Sequence, residues 1–170
     1  MKVTDETMSS SSNENAQLIE QFYTSFAQHD YKGMIACYHP QVEFSDPVFQ
    51  TLKGNQAKAM WHMLIERGKE LTLEFSGVQA SNEVGKAHWE AKYPFSSTGR
   101  QVHNIIDATF RFQDGKIFRH DDHFDLWRWT RMALGTSGIL LGWSPIVQNK
   151  VRATARAGLD KFIAQHPEYQ

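Results

Sequence analysis

Two carboxylates stand out by position. Asp46 closes the alternating stretch Val42-Glu43-Phe44-Ser45-Asp46 and is followed by Pro47, so it lies where a short strand has to stop. A carboxylate against apolar walls is poorly hydrated, and its pKa rises toward the range in which it can act as a general base. The local reading is an Asx-type turn, with the side chain bonding to backbone just past the proline. Both readings stand open. Asp122 belongs to the run His120-Asp121-Asp122-His123-Phe124-Asp125, whose residue types can bind metal. On a strand, however, His120 and Asp122 share one face while Asp121, His123 and Asp125 share the other. A single ion would need ligands from elsewhere, such as His88 or His103. A histidine-rich outer surface or subunit contact explains the run more simply, and no metal site is expected. For Asp122 the plain alternative is a structural partner for His120, Arg119 or a backbone amide.

Other reactive types carry less. Cys37 is the single cysteine; it allows no internal disulfide, has no evident histidine partner, and reads as a buried, inert thiol. Trp89, Trp127, Trp129 and Trp143 could stack on bases, but basic residues are thinly interleaved and core or interface roles fit better. No phosphate-binding glycine loop or dinucleotide fingerprint occurs, and no cofactor is expected. The net charge is −1, too small to draw in nucleic acid or an anionic membrane, so neither is an expected partner. No apolar run is long enough to span a bilayer, and no leader pattern opens the chain; the expected location is the cytoplasm.

The elements that must position these groups can be placed from periodicity. Residues 1–12, with four consecutive serines, read as a disordered tail. Leu18, Phe22 and Phe26, with Ile19 and Tyr23 beside them, form one apolar face of a helix over 13–29, with Ser11 and Glu14 at capping-box spacing. Asp30 caps a short helix over 31–38 that Pro40 stops. The strand before Asp46 and a helix over 55–67 follow, the latter with Met60, Trp61 and Leu64 inward. Then the period changes. Residues 71–80, 86–97, 101–113 and 117–127 read as strands separated by turn signals, which makes an antiparallel meander. Ser144-Pro145 begins a last helix to about residue 164, whose stripe Val147, Val151, Ala155, Gly158 and Phe162, with Leu159, needs a surface to pack on. Helices followed by a meander define an α+β fold with the helices on one face of the sheet.

This order, together with Phe22-Tyr23 and Phe26, Tyr38-His39-Pro40, Phe44-Ser45-Asp46-Pro47, Asp114-Gly115-Lys116-Ile117 and Asp122-His123-Phe124-Asp125, resembles the nuclear transport factor 2-like superfamily. That superfamily includes ketosteroid isomerases, SnoaL-like polyketide cyclases and limonene-epoxide hydrolases. The resemblance implies a cone-shaped domain over 13–129, with a curved antiparallel sheet wrapped on the N-terminal helices and a C-terminal helical extension over 130–170. It also implies a homodimer, with Ile105, Asp107 and His123 on the outward sheet face, and a pocket for a small hydrophobic molecule inside the cone. Asp122 facing inward carries His120 and Phe124 with it, and the neighbouring strands add Asn104, Ile106, Ala108, Trp89, Ala91 and Tyr93. The helices add Phe22, Tyr38, Met60 and Trp61.

By the same resemblance Asp46 stands where the isomerases carry their base. The isomerase oxyanion positions are Phe22 and Ala108 here, with Tyr23 and Asp107 set aside as neighbours turned to the other face. The remaining positions of the epoxide hydrolase network are Trp89 and Ala91, which disfavours that reaction. Two functions follow: proton transfer of the isomerase or cyclase kind, with Asp46 as acceptor and Asp122 or His120 assisting, or a noncatalytic ligand-binding or dimeric scaffold module.

Overall fold

The computed structural model describes the backbone of residues 3–170 and the side chains from Asn13 onward. Helix α1 (Val3–Ala27) already runs through the Ser11–Glu14 pair, so its start lies upstream of the expected one. The expectation for residues 1–12 falls where side chains are not described. Ile19, Phe22, Tyr23 and Phe26 are all buried; at spacings of three and four they make one stripe, and it faces the sheet. Asn15 fastens the helix to the far edge of the sheet by donating to the carbonyls of Ser81 and Asn82, at 2.9 and 3.2 Å.

Helix α2 (Tyr31–Ala36) starts at Asp30, whose side chain accepts from the Gly33 amide. It stops two residues earlier than expected, and Tyr38 opens strand β1 (Tyr38–Ser45). Pro40 is the cause: the residue before a proline is pushed out of the helical region, and the missing proline N–H falls in the irregular stretch of the ladder between Tyr38 and Glu43. The two-residue strand β2 (Leu52–Lys53) pairs with β1 and is too short to leave a periodic signal. Helix α3 (Asn55–Arg67) matches its expected bounds, with Met60 and Trp61 buried; His62, Met63 and Ile65 are buried as well.

Strands β3 (Thr72–Ala80), β4 (Val84–Pro94), β5 (Gln101–Gln113) and β6 (Lys116–His123) form the antiparallel meander. The sheet order is β2-β1-β6-β5-β4-β3. Strand β1 lies parallel to β6, with Phe44 beside His120, so the complete sheet is mixed. Alternation along β5 buries Val102, Asn104, Ile106, Ala108 and Phe110, and along β4 it buries Ala87, Trp89 and Ala91. Ile105, Asp107 and His123 face outward.

β6 ends at His123 where a strand to Trp127 was expected. The Asp125 side chain accepts from the Arg128 amide at 3.0 Å and starts helix α4 (Leu126–Leu134). Leu126, Trp129, Thr130 and Ala133 are its buried residues, a helical period that the alternation of Phe124 and Leu126 had masked. Helix α5 (Thr136–Leu141) crosses α4 at very short range. A Cβ on Gly138 would stand 2.0 Å from the Thr130 carbonyl oxygen, and one on Gly142 2.1 Å from the Thr130 hydroxyl. The protein-facing side of this segment is therefore bare backbone, and Ile139, Leu140 and Leu141 point outward, each more than half exposed.

Gly138→Ala is expected to lower unfolding free energy by about 3 kcal/mol, because the atom met is a backbone oxygen that cannot swing aside. Gly158→Ala, whose nearest neighbour is the mobile tip of Arg67, should change it by under ~1 kcal/mol. Urea midpoints of the two variants check the contrast; equal midpoints would mean that α4 and α5 separate at little cost.

Helix α6 (Pro145–Gln165) has Ser144 as its cap and Pro145 at its first position. Its packing surface is α3 of the same chain. Leu159 and Phe162 are buried there, whereas Val147, Val151, Ala155 and Gly158 of the expected stripe are only half-buried. α6 covers the back of α3, which explains why α3 buries residues on both sides. A 3-10 turn (Pro167–Tyr169) ends the chain.

Candidate functional site

The inward side chains meet in a ring-packed interior. Phe22 stacks on Tyr38 at 5.3 Å between centroids, Trp61 stacks on His120 at 5.9 Å, and Phe110 lies 4.4 Å from His120. Phe26 and Tyr23 pack on Trp89, and Phe44 on Trp61. Through these rings runs one chain of hydrogen bonds. Trp61 Nε1 donates to the Tyr38 hydroxyl at 2.7 Å, and Tyr38 Oη lies 2.8 Å from His120 Nδ1. His120 Nε2 lies 3.0 Å from Asp122 Oδ1, which also accepts from Trp89 Nε1 at 3.2 Å.

An indole N–H only donates, so the ends of the chain set its direction. Tyr38 accepts from Trp61 and gives its own hydrogen to His120 Nδ1, and His120 gives its Nε2 hydrogen to Asp122. In that assignment each of these donors is used. His120 is 0% exposed and Asp122 3%. The pair therefore acts as a partnered polar strut within the core and has little open face for a guest.

Asp46 is different. Its Oδ1 accepts from the Val48 and Phe49 amides at 2.7 and 2.6 Å, which is the Asx-type turn. Its Oδ2 has no hydrogen-bond partner among the described residues. Burial pushes its carboxyl up to about 6; the Phe49 amide pulls it down, the nearby Asp122 pushes it further up, and the Val48 amide and His120 pull it down. The side chain is nonetheless half-buried, so water reaches part of it. Asp46 also lies close enough to Tyr93 to help raise that phenol, after burial and against the hydrogen bond from Trp129. The turn and a raised carboxyl thus coexist in one residue.

The structure brings Asp46, His120 and Asp122 into mutual electrostatic range. It does not leave an open chamber around the expected ligand contacts. Phe22, Tyr38, Met60, Trp61 and Ile106 are no more than 4% exposed, and Trp89 and Asn104 are each 7%; these side chains largely fill the cone themselves. Phe124 is half-buried near the rim, packed with Trp129 of α4. A groove of about 490 Å³ lies outside the cone, between Val48–Thr51, just beyond Asp46, and Arg152, Ala153 and Arg156 of α6. A larger one of about 950 Å³ lies on the outer sheet face between Glu43, Lys86, Arg111 and Arg119.

Tyr23 lies in the interior, against the expectation that it faces away from Phe22. Tyr23 is on a helix, where neighbours at three and four spacings share a face, so the strand rule that turned it away from Phe22 does not apply. It is fully buried, and its hydroxyl is the one buried side-chain polar atom without a partner among the described residues. Burial, then the proximity of Asp122 and Tyr38, hold its pKa well above the usual phenol value, so it stays a proton donor. The thiol of Cys37 is buried, pushed up to about 11, and donates to the Gly33 carbonyl.

An α+β fold with helices laid on an open mixed six-stranded sheet is that of the nuclear transport factor 2-like class. Within it, residues 19–120 match the SnoaL-like domain, and the chain belongs to that family. No curated protein matches the sequence. Among solved structures, the chain is similar to TerC co-crystallised with polyporic acid, at 18% identity and TM-score 0.61, over 72% of this chain and 99% of that one. It is similar to an NTF2-like protein of unknown function from Burkholderia pseudomallei K96243, at 20% identity and TM-score 0.60, over 71% and 97%. It is also similar to a limonene-epoxide-hydrolase-like epoxide hydrolase of M. tuberculosis, at 15% identity and TM-score 0.59, over 77% and 98%. At these identities the likeness concerns the fold. No described helix is long and apolar enough to cross a membrane.

Proposed function

We propose that this SnoaL-like domain takes up a small organic carbonyl compound at the rim of its cone and moves a proton with Asp46, in chemistry of the isomerase or cyclase kind. The observation that carries the reading is the state of Asp46: one oxygen is held by two backbone amides, the other is unclaimed, and the carboxyl is pushed up to about 6. A base so poised takes a proton from carbon next to a carbonyl without first losing a hydrogen bond from its reactive oxygen. Asp122 and His120 assist from within the core by setting the field around Asp46. TerC, a neighbour in fold, was co-crystallised with polyporic acid, which supports a small organic molecule as the guest.

The test needs no knowledge of the natural substrate. Enolisable aromatic ketones are incubated with the protein in deuterium oxide, and exchange of the hydrogen next to the carbonyl is followed by NMR. Asp46→Asn is expected to slow exchange by at least ~100-fold while leaving the circular dichroism spectrum unchanged. Equal exchange in both proteins would remove Asp46 as the base.

A second reading rests on the ring-filled interior. A cone packed with its own aromatics suits a noncatalytic ligand-binding or scaffold module. It predicts that the same ketones quench tryptophan fluorescence yet never exchange. Epoxide hydrolysis is less well supported, because Trp89 and Ala91 stand where its further network residues belong and Asp122 is enclosed.

A further inference from the structure

We propose that His62, His166 and Glu168 form a binding site for a divalent transition metal of the zinc type, fastening the C-terminal turn to the back of α3. The three residues come from α3, the residue capping the end of α6, and the terminal 3-10 turn. One ring nitrogen from each histidine and one Glu168 carboxylate oxygen all lie within 4.8 Å of one another. Ligand atoms bound to one tetrahedral zinc, at about 2.0–2.2 Å each, sit roughly 3.5 Å apart, so a small side-chain adjustment closes the set.

The orientation of the rings is the stronger sign. Metal-binding histidines are held by a hydrogen bond at the nitrogen that does not bind the ion. His166 Nδ1 lies 2.8 Å from the Phe162 carbonyl, an acceptor only, so Nδ1 carries the hydrogen and Nε2 keeps its lone pair. His62 Nδ1 lies 3.1 Å from the Tyr169 hydroxyl, which leaves its Nε2 unengaged. Each ring is also clamped by a stacking partner. His62 lies on Tyr31 at 3.6 Å and 12°, and His166 lies on Phe162 at 3.8 Å and 19°; the two imidazoles meet edge to face, 5.2 Å apart and at 72°.

Two imidazoles and one carboxylate are a nitrogen-rich, borderline donor set that suits zinc and its neighbours better than magnesium or calcium. His62 is buried while Glu168 is exposed, so the ion would enter from the Glu168 side, and three protein ligands leave a position for water. The site is separate from the cone. Trp61 faces the interior, and His62, one residue on, turns about 100° around the helix to the side that α6 covers. His166 and Glu168 also lie beyond the SnoaL-like match, which ends at residue 120, so two of the three ligands come from the C-terminal extension and one, His62, from the matched domain.

The test uses the full chain after treatment with a chelator. Cobalt(II) is titrated in and its visible d–d bands are followed, then zinc is added, and Tm is measured with and without excess zinc. One cobalt per chain, displaced by one zinc, and a rise in Tm of roughly 5 °C or more are expected. His166→Gln and Glu168→Gln, both at the periphery, should abolish the bands and the zinc-dependent rise while moving the metal-free Tm by no more than ~2 °C. Absent bands and an unmoved Tm in the parent protein would overturn the site. So would a rise that survives both substitutions but is lost in His103→Gln, since that would assign the ion to the half-buried cluster of His88, Glu90 and His103 on the outer sheet face.

Discussion

Asp122→Ala is expected to lower unfolding free energy by roughly 3–5 kcal/mol. The side chain removed is the shared acceptor of His120 Nε2 and Trp89 Nε1. With His120 wholly buried and Trp89 nearly so, neither donor can turn to water, and both are left unpaired beside a small void. Asp122→Asn keeps a carbonyl oxygen in place and should cost about 1–2 kcal/mol. Urea denaturation followed by circular dichroism measures both, with an unchanged m-value showing that the same surface is exposed. A loss below ~1 kcal/mol for the alanine variant would mean that the chain from Trp61 to Trp89 contributes little to holding the core.

Asp46→Asn should act in the opposite direction. The carboxyl is raised from 3.8 to about 6 in the folded protein, so the folded state holds its proton more tightly than the unfolded chain does. The stability gained from that proton is full below pH ~3.8 and is lost as the pH rises through about 6. Above that, the ionised carboxylate weakens the fold by about 2 kcal/mol, once the part that water reaches is allowed for. Asparagine carries no charge to desolvate and keeps an oxygen for the Val48 and Phe49 amides. The variant should therefore be more stable than the parent by about that amount at pH 8, with the gap closing between pH 6 and pH 4. Melting curves across pH check this. The gain at pH 8 follows from the buried charge whatever the role of the residue; loss of proton exchange in the same variant is what separates a base held at a cost to the fold from a residue serving only the turn.

Much of the architecture was legible because it depends on local periodicity. Helix α3 and strand β5 have their expected bounds, and the inward set on β4, β5 and β6 follows from alternation once Asp122 is placed. Errors arose where one residue overrides a pattern. Pro40 ends α2 early, and Asp125 starts a helix inside an alternating run. Tyr23 sits on a helix, where it shares the inward face with Phe22 although the two are adjacent. The candidate site was legible only by direction. Alternation shows that Trp61, Trp89 and His120 turn inward, but whether their rings leave room depends on sheet curvature and on how ring planes cross, which no spacing encodes. Asp46 was legible as a turn former, and the structure contains that turn; its expected part as a base rests on the proposal above. His62 and His166 carry no shared motif, and only the fold of α6 against α3 brings them together.

The bond between Tyr38 and His120 joins residues 82 positions apart, and its partner strands β1 and β6 lie side by side in the same direction. A chain emerging from the ribosome can coil its early helices and zip its hairpins, but it cannot seal its interior until β6 has been made. Through that interval Trp61 and Tyr38 wait without their partner. Any fragment ending before residue 120 keeps a greasy, half-bonded centre open to the crowd around it, so this protein's most vulnerable moment comes before its last third is synthesised.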